Sequence, residues 1–172
     1  LAQTKGKMNV LFATTRSEKR EKLFKWVGPI ADTTISVFAL KSAKLKINSA
    51  EDLKKYKLSA VRGDIGESLL LDAGVNENSI SSSVSFKPML LKAAGGRVQA
   101  FAYEENVSKW LMKKNGKNPN DYEVVFQLKK AKLFYAFNLS VADETVAQFQ
   151  AAVDKIISNK ATMATINKKY LE

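Results

Sequence analysis

The sequence contains neither cysteine nor histidine. Disulfides, thiolate nucleophiles and Cys/His zinc sites are therefore excluded. So are Ser-His-Asp triads and histidine general bases. An enzyme built on this chain would have to work with carboxylates, lysine or tyrosine. The lack of cysteine fits the cytosol and the periplasm equally well. No apolar run approaches the roughly 20 residues that span a bilayer. The opening stretch from Leu1 to Lys7 has no apolar segment of the secretory-signal type. Nothing resembles collagen, a coiled coil or a disordered tract.

What is present is an ordinary globular composition, 45% hydrophobic over 172 residues. That is enough chain for one core or two small lobes. The formal net charge is +11, a balance that favours acidic partners. The lysines are nevertheless scattered along the whole chain, Lys19, Lys54, Lys113 and Lys130 among them. No basic helix or aromatic platform gathers them, so a solvated surface is expected and nucleic-acid binding is not.

Strands and helices alternate in the pattern. Met8 to Ala13 reads as a buried strand. Ser17 precedes the acid-rich turn Glu18 to Phe24, which Gly28-Pro29 is expected to stop. Thr33 to Leu40 is β-branched and reads as a strand. Ser49-Ala50-Glu51-Asp52 has capping-box spacing. Leu58 to Val61 is a short strand, followed by a helix from Ile65 to Ala73 with Gly74 at its end. Ile80 to Ser85 and Val98 to Tyr103 read as strands, with a Pro88 helix between them. Asn106 is the expected cap of the helix around Trp110. Glu123 to Leu128 and Leu133 to Leu139 read as two separate strands. From Asp143, the 3-4-3 spacing of Val146, Phe149, Val153 and Ile156 predicts an amphipathic helix, and a short helix with Ile166 and Tyr170 follows. Trp26, Trp110, Phe24 and Phe149 are expected in the core. Alternation of this kind argues for an α/β fold with largely parallel sheets.

Four segments in order resemble one family. Phe12 to Pro29 is similar to a Thr/Ser-rich strand end followed by an arginine and an aromatic-x-x-Pro close. Ser49 to Lys54 with Leu58 to Glu67 is similar to a helix, strand and glycine loop. Leu91 to Tyr103 forms a third match. Lys132 to Phe137, with the closing Lys168-Lys169-Tyr170-Leu171, forms the fourth. Together they resemble the family-3, polar amino-acid type of bacterial extracytoplasmic solute-binding proteins of ABC transporters. The resemblance implies a two-lobe, type II periplasmic-binding-protein (Venus-flytrap) fold. Lobe one would be 1–38 plus 133–172 and lobe two 39–132, with crossings near Val37 to Leu40 and Phe134 to Phe137. The family begins with a strand-helix-strand-helix segment, so the first part of lobe one is expected to be missing here. A second chain or a swapped segment would then complete it.

The same resemblance implies a function. A small polar ligand, amino-acid-like, would be held between the lobes and presented to a membrane permease, in a periplasmic or extracellular, membrane-associated setting. No enzyme activity, cofactor or metal is expected. Arg20 would clamp the ligand carboxylate with its planar fork, with the Thr15 hydroxyl as a further donor. The backbone amides of Asp64 and Ile65, at a helix start, would close on the same carboxylate. Glu104 would take the ligand ammonium and Tyr103 would line the cleft. Each has a plainer alternative. Arg20 would pair with Glu18 or Glu21, Asp64 would simply cap its helix, Glu104 would be a solvated acid or cap helper, and Tyr103 would be core. The rival functions are a ligand-sensing domain of a signalling or cell-wall enzyme system, and a dehydratase-like enzyme on the same fold. The dehydratase would need converging carboxylates, for which Glu104 is the candidate.

Overall fold

The computed structural model describes residues 9–170. The expected strand start at Met8 and the closing Leu171 lie outside them. The chain forms two compact units, residues 1–32 with 131–172 and residues 33–130. Two 16-residue strands, β2 (Lys25–Leu40) and β6 (Tyr122–Phe137), run from one unit into the other. The changes of unit come at Asp32/Thr33 and Lys130/Ala131, ahead of Val37 and of Phe134.

Unit two contains the second part of β2, then β3 (Leu58–Val61), β4 (Ile80–Ser83) and β5 (Ala100–Glu104). Around them lie α1 (Ala50–Leu53), α2 (Ile65–Asp72), α3 (Phe86–Ala94) and α4 (Glu105–Lys114). β3 pairs in parallel with both β4 and β5. β2 adds to β5 in antiparallel register, Ile35 opposite Glu104 and Phe38 opposite Phe101. The sheet is thus mixed, with the expected parallel pairing confined to β4-β3-β5.

Successive side chains of a strand point to opposite faces, and here both faces are covered. On one face Val37, Ala39, Ala100 and Ala102 join Leu53, Leu58 and Leu70. On the other, Phe38 and Phe101 join Phe86, Met89, Leu90 and Met112. Burial on both faces fits the short apolar runs Val37 to Leu40 of β2 and Ala100 to Tyr103 of β5. Phe101 is fully buried, a burial that contributes about 1.5–3 kcal/mol. It stacks on Phe38 at 5.4 Å and meets Phe86 edge-on at 5.9 Å. The small face is small for a reason: a Cβ on Gly66 of α2 would lie 2.8 Å from the Ala102 carbonyl oxygen. Only glycine lets the helix approach β5 so closely.

Unit one contains β1 (Val10–Thr15), the first part of β2 and the last part of β6. It also contains α5 (Asp143–Ser158) and α6 (Lys160–Tyr170). β1 pairs antiparallel with β6, with a bulge between Leu11 and Thr14, where Ala13 takes a left-handed φ of 52°. Its core is small: Val27, Phe137, Val141 and Val153, flanked by Ile30, Tyr135 and Val146. Polar ties fasten α5 to β2. The Lys25 ammonium donates to the Val141 carbonyl at 2.7 Å and pairs with Asp143 at 2.5 Å, and the Gly28 amide donates to Gln150 Oε1 at 2.9 Å.

Several expectations are corrected. Gly28-Pro29 does not stop an element; β2 runs through it because Gly28 adopts a φ of 138° closed to other residues. The turn Glu18–Leu23 is a 3-10 helix, and the Ser17 side chain makes no capping bond. The segment from Tyr122 to Phe137 is one strand, not two. Glu104, not Asn106, caps α4. Phe24 is buried and Trp26 half-buried, but Trp110 and Phe149 are 58% and 44% exposed. Trp110 lies under the Lys114 ammonium at 4.8 Å, and Phe149 meets Tyr135 and Phe137 edge-on.

Candidate functional site

Parallel strands β3 and β5 end on the same side of unit two, and the loops beyond their carboxyl ends are where open α/β sheets bind ligands. The loop after β3 is Arg62-Gly63-Asp64, and β5 ends in Tyr103-Glu104. Because β2 is antiparallel to β5, its unit-two head, Thr33, reaches the same end.

Four of the six expected site residues lie here. Tyr103 is half-buried, and its phenol is pushed above its ordinary value, first by burial and then by the negative charges of Asp64 and Glu104. The parallel pairing of β3 with β5 brings the Asp64 loop and Tyr103-Glu104 to this one end. Glu104 is held by both oxygens: Oε2 accepts from the Val107 amide at 2.6 Å and Oε1 from the Thr33 hydroxyl at 3.1 Å. It is thus the N-cap of α4, and each oxygen keeps a further lone pair. The next acid, Glu105, accepts from the buried Ser36 hydroxyl at 2.6 Å.

The Asp64-Ile65 loop is arranged differently from expectation. The Ile65 amide donates to Asp64 Oδ1 at 2.8 Å, and the Asp64 amide closes the turn onto the Val61 carbonyl at 3.0 Å. Both donors are engaged within the loop, and Asp64 is the N-cap of α2. This end of unit two presents carboxylates and a phenol. It suits a cationic or ammonium group better than an anion.

The other two residues lie in unit one. Thr15 is buried at the end of β1. Arg20 sits half-buried on the 3-10 turn and reaches back with Nη1 to the Thr15 carbonyl at 3.4 Å. The local acid is taken by another arginine. Arg16 forms a two-pronged pair with Glu21, 2.8 and 2.5 Å, and its guanidinium lies 5.7 and 5.4 Å from the Trp26 and Phe134 rings. Glu21 is held below its ordinary value by that hydrogen bond. The acid expected as one possible partner of Arg20, Glu21, is thus paired with Arg16.

Sequence reasoning passed over Thr33 and Ser36, which position the two glutamates. The register supplies the signal: polar residues at the head of a β-branched strand lie opposite the polar end of its antiparallel neighbour. Among the described residues, no cluster of three or more His, Cys, Asp or Glu side chains is grouped to hold a metal ion. No described helix is long and apolar enough to cross a membrane.

No family model matches the chain, and no curated protein matches it. Solved structures do. A histidine kinase sensor domain with similarity to periplasmic binding proteins superposes with a TM-score of 0.83 at 20% identity, covering 99% of this chain and 72% of that one. An ancestral arginine-binding protein bound to arginine gives 0.81 at 22% identity, covering 99% and 75%. An amino acid ABC transporter substrate-binding protein from Streptococcus pneumoniae bound to L-arginine gives 0.75 at 18% identity, covering 92% and 65%. The chain spans between 65% and 75% of the length of these three structures. At such identities the likeness is one of architecture, and it is consistent across all three: this chain has a periplasmic-binding-protein-like α/β fold.

Proposed function

We propose that the chain is an extracytoplasmic solute-binding module that captures a small, polar, amino-acid-like ligand. The observation that carries this reading is the placement of Asp64 after β3 and of Tyr103 and Glu104 at the end of β5, two paired parallel strands. Glu104 is preset by the Val107 amide and the Thr33 hydroxyl, so little side-chain entropy is lost when it accepts a ligand ammonium. Tyr103 offers a neutral O–H, since burial and the two acids keep it protonated. For the ligand carboxylate the reading assigns Arg20, with Thr15 beside it, because a guanidinium donates two parallel bonds to a carboxylate. Asp64 and Ile65 contribute by shaping the β3–α2 turn, the Ile65 amide donating to Asp64 Oδ1 and the Asp64 amide to the Val61 carbonyl.

The likeness to amino-acid-binding structures supports the ligand class, and the fold supports a binding rather than a catalytic role. The partner in this reading is the membrane permease of an ABC transporter, in the periplasm or at the outer face of the membrane. A sensor-domain role is the second reading, favoured by the superposition on a histidine kinase sensor domain. In this reading a further polypeptide segment completes unit one, and the open apolar groove lined by Phe12, Ile30, Tyr135, Ile156, Met163 and Ile166 is the surface offered to it.

Titration calorimetry against the free amino acids tests the proposal. Wild type is expected to give saturable heat with at least one of them, and Arg20→Ala and Glu104→Gln to weaken it. Identical isotherms in wild type and both variants would remove these residues from the site.

A further inference from the structure

Unit two has a second concavity that the reading above does not use. It opens beside the edge strand β4 and α2, with a volume of about 610 Å³, within the range of small-molecule sites. Strand order places β3 between it and β5, the strand that carries Tyr103 and Glu104. Its lining includes Arg62, Glu67, Glu77, Asn78 and Ser82, with Leu71 as an apolar wall.

The charged groups are built in different ways. Arg62 leaves the end of β3, and its backbone amide donates to the Ser83 carbonyl at 2.8 Å, fixing its position at the rim. Its guanidinium is exposed, and among the described residues it has no hydrogen-bond or ion-pair partner. Glu67 is held firmly: one oxygen accepts from the Gly63 amide at 2.7 Å and the other from the Ser82 hydroxyl. Arg62 and Glu67 thus line one pocket without neutralising each other. Glu77 adds a second carboxylate, and Asn78 a neutral amide, from the turn Glu77–Ser79. Leu71 leaves 43% of its surface uncovered, although Ile65 and Leu70 of the same helix are buried.

We infer that this pocket is a second ligand site, for a small amino acid that carries an additional cationic group. The argument is charge complementarity. One unpaired guanidinium asks for one carboxylate, which it holds with two parallel bonds. Two carboxylates on the same walls ask for two cationic groups. A molecule with one acid and two basic groups satisfies all three, and its aliphatic stem lies on Leu71. A plain anion meets repulsion from Glu67 and Glu77, and a plain diamine leaves Arg62 unpaired.

L-lysine is the probe, with 1,5-diaminopentane and L-glutamate as controls, followed by backbone amide chemical shifts in the intact chain. The expected result is a saturable shift of the Ser82 and Asn78 amides with L-lysine and a weaker one with either control. Arg62→Ala is expected to raise the dissociation constant read at those amides about tenfold or more, the loss of a charge-assisted contact. Arg62 has no partner to lose, so this variant should fold. Asn78→Ala provides a second variant outside the bonded Glu67 network. Shifts at Tyr103 and Val107 report the other site, so failure of one is read separately from failure of the other. Non-saturating shifts at Ser82 and Asn78, or an Arg62→Ala curve that overlays wild type, would overturn the inference.

Discussion

Glu104 has two roles that one substitution series can separate. Glu104→Ala removes the acceptor of the Val107 amide and leaves the hydroxyl of Thr33, which is buried to 4% exposure, without its partner. Loss of a helix N-cap costs about 1 kcal/mol. An unpaired buried hydroxyl costs about 1–3 kcal/mol. The sum is about 2–4 kcal/mol, or roughly 5–15 °C in the melting temperature of a chain of this length. Glu104→Gln keeps an oxygen for the cap and an amide that bonds the Thr33 hydroxyl. It loses only the charge at the head of α4, about 0.3–1 kcal/mol. In ligand binding the order changes. Both variants lose the ammonium's counter-charge, so both should bind at least about tenfold more weakly. Calorimetric melting and ligand titration on the same preparations check this. If the two variants melt together, the capping argument is refuted; if Glu104→Gln binds like wild type, the ammonium role is refuted.

Other expectations are independent of the ligand. Gly66→Ala drives a methyl into the Ala102 carbonyl oxygen at 2.8 Å, and overpacking of that kind costs about 1–3 kcal/mol, to be read by denaturant unfolding. Asp52 is held down to about 2, first by its bond to the Lys55 ammonium and then by the Asn48 amide. Because its folded value is depressed, its contribution to the α1 capping box is full above the ordinary carboxylate range and fades as pH falls through about 2; the Ser49 and Asn48 amide shifts should follow that titration and not one near 4. Tyr103 should ionise above an ordinary tyrosine in an ultraviolet titration, with Asp64→Asn and Glu104→Gln each lowering it only partway, since burial is the largest cause.

Much of unit two was legible because its local chemistry agrees with its tertiary setting. The Ser49–Asp52 box closes as its spacing predicts. Gly74 takes the left-handed φ that ends α2, and Leu58 to Val61 is a strand as read. The long strands were less legible. Gly28-Pro29 carries a stop signal, yet the positive φ of Gly28 lets β2 continue. Lys129-Lys130-Ala131-Lys132 interrupts the apolar pattern of β6 without interrupting its backbone, because polar side chains are tolerated where a strand's faces meet solvent. Trp110 and Phe149 were misplaced because residue type alone does not give the facing of a helix whose partner surface is unknown. At the site, it was the family resemblance, rather than residue pattern, that pointed to Asp64, Tyr103 and Glu104. The capture of the Asp64 and Ile65 amides within their own turn was not legible, since backbone hydrogen bonds leave no trace in residue identity.

The most direct test is a crystal of the protein with its tightest-binding amino acid, viewed at Glu104 and Tyr103. Density for an ammonium within hydrogen-bond distance of Glu104, with the Tyr103 hydroxyl on the same ligand, is the predicted result. A ligand bound with no contact to either residue, leaving Glu104 only the cap of α4, would contradict the account.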